Sequence, residues 1–207
     1  MKTTLSYLLY AFMFIAASCA KDSGNKNAEP YIASPEKLIN MTGSDWNSVE
    51  PQVKDKKDYW YTEFTQDQYL AIKAAVSLKA KEETFADINY YMLLNVQRGT
   101  DKTSAVSVST IDSLKKISKD EAYKLMLFYY NNGLKPITDT SYTSGNYMMA
   151  DGIQKNTTVN EIVAKLQSGF ETPLLSINYK TSRGDFSILL TKQNENEPYQ
   201  FSFNGFN

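Results

Sequence analysis

The chain has 207 residues, with 22 lysines and arginines against 23 aspartates and glutamates, a net charge of −1, no histidine and one cysteine. The missing histidine excludes Ser-His-Asp and Cys-His catalysis and histidine-ligated zinc. The near-zero charge, without a basic block, argues against a nucleic-acid partner.

The amino terminus carries an address. Met1 and Lys2 give a positive start, Leu5 to Ile15 form an apolar run, and Ala16, Ala17 and Ser18 precede Cys19. This order describes a secretory signal, expected over residues 1–18, and the run is shorter than the ~20 residues a membrane-spanning helix needs. Ala16-Ala17-Ser18-Cys19 resembles the lipobox of bacterial lipoproteins. The resemblance implies a diacylglycerol on the Cys19 thiol, cleavage before it and acylation of the new amino terminus. Each buried CH₂ contributes ~0.8 kcal/mol, so two or three chains hold durably where one does not. The lipid bilayer is thus the partner implied for Cys19. Ala20 is similar to the outer-membrane class, and Lys21-Asp22 resembles the surface-export signal of Bacteroidetes lipoproteins. Outer-membrane anchoring is the expectation, with the periplasmic and cell-surface sides both open.

Residues 19–33 are polar and contain Gly, Asn and Pro, which predicts an acylated flexible tether ahead of a single globular domain over 34–207. Ser34-Pro35-Glu36 opens a short helix closed by Gly43. Asp45 to Asp58 reads as loop with a helical turn. Tyr59, Trp60, Tyr61 and Phe64 are the densest aromatic cluster. Thr65 and Gln68 form a capping box, which predicts a helix to about Glu82 with Tyr69, Ile72, Val76 and Ala80 on one face. Residues 84–98 fit either a second helix or a buried strand. Ala105 to Val108 is a candidate short strand, and Ser109 to Asp112 caps a short helix through Ile117. Ser118 and Glu121 form another capping box, followed by Ala122, Leu125, Met126 and Tyr129 at helical spacing and a stop at Asn131 to Pro136. Residues 137–156 read as a polar loop. Thr158 caps a last helix ending at Gly169.

The final third alternates. Leu175, Ile177 and Tyr179, then Phe186, Ile188 and Leu190, then Tyr199, Phe201 and Phe203 are each separated by polar residues. This predicts a C-terminal three-stranded antiparallel meander with one apolar face. The expected class is α+β, with several amphipathic helices packed on one face of that meander.

No catalytic constellation is complete. Ser34/Lys37 and Ser113/Lys116 match Ser-x-x-Lys without a companion Lys-Thr-Gly. Glu82-Glu83, Asp120-Glu121 and Glu195/Glu197 sit on single elements rather than across a cleft. Neither metal nor cofactor is expected. Tyr59, Trp60, Tyr61 and Phe64 are the candidate binding surface, since aromatics concentrate at interface hot spots. Asp112-Ser113-Leu114 resembles the O-glycosylation sequon of exported Bacteroidetes proteins, which implies modification of Ser113. The reading that follows is a non-enzymatic protein-binding or accessory lipoprotein, in an envelope complex or an immunity-type role. A surface glycan-binding lipoprotein is the second reading and a carboxylate or Ser-Lys hydrolase the third.

Overall fold

The computed structural model describes residues 35–54, 59–65, 72–80, 91–97, 100–110, 117–192 and 198–207. Among the described residues, nine strands form one antiparallel sheet: β1 (Tyr59–Thr65), β2 (Ile72–Ala80), β3 (Tyr91–Gln97), β4 (Thr103–Ser109), β5 (Tyr142–Met148), β6 (Gln154–Thr157), β7 (Leu174–Thr181), β8 (Gly184–Thr191) and β9 (Gln200–Phe206). Their spatial order is β1-β2-β3-β4-β9-β8-β7-β5-β6. The described helices are α1 (Pro35–Met41), α2 (Trp46–Val53), α3 (Lys119–Tyr129), running on into a π-helical turn (Tyr130–Leu134), and α4 (Val159–Ser168). None of them is long and apolar enough to cross a membrane.

The sheet dominates the architecture and corrects the expected class. The three alternating C-terminal segments are β7, β8 and β9, but they are the middle of a nine-stranded sheet, not a self-contained meander. β9 continues the sheet by pairing with β4, from Ala105 opposite Phe206 to Ser109 opposite Ser202. The helix expected over 65–82 is replaced by β2. Ile72, Val76 and Ala80 fit a helical face, but with Ala74 and Leu78 they also alternate at a period of two, and pairing with β1 and β3 selects the strand. Within 84–98, residues 91–97 are strand β3, while 81–90 lie outside the described residues. The segment read as loop over 137–156 contains β5 and β6.

The two faces of the sheet differ. One is apolar and covered: Val108, Phe203, Ile188 and Ile177 lie side by side across β4, β9, β8 and β7, each essentially fully buried. On it, Tyr129 of α3 packs its ring 4.9 Å from Phe201 and 5.5 Å from Phe203. Ile162 of α4 sits over Gly145 of β5. Burial of each large side chain contributes about 1.5–3 kcal/mol, which makes this layer the main source of stability.

Local signals fix the helices. Ser118 Oγ accepts from the Glu121 amide at 3.3 Å, and a Glu121 carboxylate oxygen accepts from the Ser118 amide at 2.9 Å, completing the capping box of α3. The helix widens at Tyr130 into the π-turn and ends at Leu134, within the stop expected over Asn131 to Pro136. Gly133, read as a terminator, is buried there instead: a Cβ would lie 2.7 Å from the Pro35 side chain, so glycine lets α1 approach. Thr158 caps α4, and Gly169 ends it in the left-handed region at φ +73°.

Candidate binding surfaces

Among the described residues, no helix packs on the opposite face of the sheet over β4, β9, β8, β7 and β5. The residues of this face follow from the buried ones by the two-residue strand period. Ser107, Asn204, Ser187, Asn178 and Ser144 form one cross-strand row over β4, β9, β8, β7 and β5, alternating serine and asparagine. The neighbouring row reads Ser109, Ser202, Leu189, Ser176 and Asn146. Asn is depleted in strands, so this composition is not the default for a solvated sheet face. Along two strands the side chains repeat one arrangement: Asn178 Nδ2 donates to Ser176 Oγ at 3.3 Å, and Asn204 Nδ2 donates to Ser202 Oγ at 3.3 Å. The two rows are uncharged, and Ser176 is only 7 % exposed.

At one end of the face the next row is Phe206, Asp185, Lys180 and Tyr142, on β9, β8, β7 and β5. Tyr142 and Phe206 are each 53 % exposed. Between them Lys180 Nζ lies 3.7 Å from Asp185 Oδ2. With Ser144, Asn178 and Ser187 as floor, these residues bound a shallow pocket of about 280 Å³.

A second recess of about 420 Å³ lies where α1 and the π-turn meet the β7–β8 hairpin. Glu36, Asp139 and Arg183 line it. Arg183 Nη1 donates to Asn40 Oδ1 at 2.8 Å, and the Ser182 hydroxyl donates to the Asp139 carboxylate. The recess thus combines one cation with two carboxylates on three separate elements, an arrangement suited to holding a polar group.

The aromatic cluster occupies an edge. Tyr59, Trp60, Tyr61 and Phe64 all belong to β1, whose register runs from Tyr59 opposite Ala80 to Thr65 opposite Ala74. A strand, not a staple at a helix entrance, therefore organises them. Among the described residues β1 pairs with β2 alone. Elsewhere, Tyr129 and Tyr130 are in the core, and Tyr147 is half-buried with Lys165 Nζ 4.2 Å from its ring centre. Cys19, Ser34, Ser113, Lys116, Glu82, Glu83, Glu195 and Glu197 lie outside the described residues. Asp120 and Glu121 occupy the first turn of α3, a favourable place for acids at a helix start.

Phe206 and the serine–asparagine rows escaped the sequence reading. Their signal was present: Ser-x-Asn occurs in β5, β7 and β9 as Ser144/Asn146, Ser176/Asn178 and Ser202/Asn204. Only the pairing register shows that these short motifs adjoin.

Comparison with known proteins returns no matching family model, no matching curated protein and no matching solved structure.

Proposed function

We propose that the chain is a lipid-anchored, non-enzymatic binding protein of the outer membrane whose protein partner docks on β1. The observation that carries this is the position of a seven-residue strand with four aromatics at the edge of the sheet formed by the described residues. An edge strand presents a row of backbone donors and acceptors to any chain that can lie alongside it. Natural edges are commonly protected by lysine, proline or bulges. β1 has neither lysine nor proline, its one charge is Glu63, and its seven-residue register to β2 is continuous. Addition of a partner strand would supply main-chain hydrogen bonds, while the alternating side chains supply selectivity. The anchor reading is supported by the run Leu5 to Ile15 and the position of Cys19. The non-enzymatic reading is supported by the absence of histidine from the sequence.

The test is capture from detergent-solubilised envelopes with the full chain, comparing it with Trp60→Ala and with Thr62→Lys. The full chain is expected to retain one protein partner, and Thr62→Lys, which places a lysine on the edge, to lose it while melting at the same temperature. Failure to retain a protein partner under any growth condition contradicts the proposal. A Trp60→Ala chain that unfolds assigns Trp60 to the core and leaves Thr62→Lys to decide the docking edge.

A further inference from the structure

We infer that the pocket between Tyr142 and Phe206 binds an uncharged oligosaccharide, at a site separate from the β1 edge and independent of the partner proposed for it. Four features converge.

The first is the aromatic pair. Tyr142 and Phe206 are both 53 % exposed, so neither ring is spent on the core. They stand on strands three positions apart in the sheet, which at about 4.8 Å per strand separates their backbones by roughly 14 Å. That spacing suits a short chain of sugar rings lying across the strands, with a C–H face against an aromatic ring at each end.

The second is the floor. Serine hydroxyls and asparagine amides both donate and accept hydrogen bonds, as sugar hydroxyls do. Ser144 and Ser187 show no hydrogen-bond partner for their hydroxyls among the described residues, and Asn178 commits one N–H to Ser176. Donor and acceptor capacity therefore remains where a ligand would lie. An apolar ligand would desolvate these groups without repaying them.

The third is charge. Lys180 and Asp185 face each other at 3.7 Å, so the pocket's one cation and one carboxylate leave it with no net charge to favour a phosphate, an acidic polymer or a cation. The fourth is topology. β9, β8 and β7 are each paired on both sides, so over these three strands recognition rests on side chains; β6 pairs with β5 only from Gly145 to Met148, beyond the pocket. The volume of about 280 Å³ lies at the lower bound for small-molecule sites, which matches partial enclosure of a longer chain.

Native gels cast with starch, xylan, galactomannan or a soluble β-glucan, and with polygalacturonate as the charged control, test this with the full chain. Retardation in at least one neutral gel and none in polygalacturonate is expected. Tyr142→Ala and Phe206→Ala are each expected to weaken the retained interaction about tenfold. Asn178→Asp, which places a charge in the floor without changing its shape, is expected to weaken it at least threefold, and it serves if either aromatic variant fails to fold. Absence of retardation in all four neutral gels, strongest retardation in polygalacturonate, or retardation unchanged in the variants would overturn the inference. Capture of a protein by β1 is read in a separate assay, so either result can stand alone.

Discussion

Gly145 of β5 and Ile162 of α4 approach so closely that a Cβ at the glycine would lie 2.3 Å from Ile162 Cγ1. The contact sets how α4 lies on the covered face. Gly145→Ala is therefore expected to destabilise the fold by about 1–3 kcal/mol through overpacking. Ile162→Ala, which removes Cγ1, should make the Gly145→Ala change less costly in the double variant than in the otherwise unaltered chain. Urea denaturation of the two single variants and the double variant checks the coupling.

The two faces of β8 and β9 predict opposite sensitivities. Phe203 is fully buried against Tyr129. Phe203→Ala should cost about 3–5 kcal/mol, in the range for truncating a core aromatic. Ser187 points to the open face one residue from buried Ile188, and Ser187→Ala should change stability by less than about 0.5 kcal/mol. Equal losses in the two variants, measured by thermal unfolding, would contradict a covered and an open face.

Alkaline titration should unfold the chain through its buried tyrosines. Burial, with a smaller contribution from Tyr130, pushes Tyr179 up to about 12 from its ordinary 10.0. Burial also raises Tyr129, Tyr123 and Tyr199. The folded state therefore holds these protons more tightly than the unfolded chain does. Their contribution is complete below about pH 10 and is lost as pH rises toward 12. Stability that stays flat from pH 9 to 12 would contradict the burial assigned to these phenols.

The start of α3 is tied to the segment before β7 by Lys119 and Glu171, whose charged atoms are 3.0 Å apart. The hydrogen bond from Lys119 lowers the Glu171 pKa below the ordinary carboxylate value. The linked stability is present above that ordinary value and fades as pH falls through the lowered one. Lys119→Ala should move the Glu171 carboxyl titration, followed by NMR, back upward. An unmoved titration would show that the pair does not form in solution.

The sequence made local features legible and concealed non-local ones. The α3 capping box is visible because Ser118 and Glu121 bond within one turn. Thr158 and Gly169 bracket α4 for the same reason. Alternation of large apolar residues also revealed β7, β8 and β9. β5 was hidden because Ser144, Gly145 and Asn146 read as turn residues; in the sheet, Gly145 makes room for Ile162 while Ser144 and Asn146 lie on the open face. β2 was hidden because its spacing fits two periods, and only pairing with β1 and β3 decides between them. The Tyr142–Phe206 pocket joins residues 64 positions apart in the chain through β7 and β8, a juxtaposition that no local motif encodes.

The most direct test of the central claim is photo-crosslinking in intact cells, with a photoreactive residue at position 62 of β1 or position 155 of β6, at the opposite edge of the sheet. Mass spectrometry of the adducts should find one discrete protein partner from position 62 and none in common from position 155. Surface protease applied to the same cells would assign the side of the membrane. Absence of a discrete adduct from position 62 under any growth condition, or the same adducts from both edges, would contradict docking on β1.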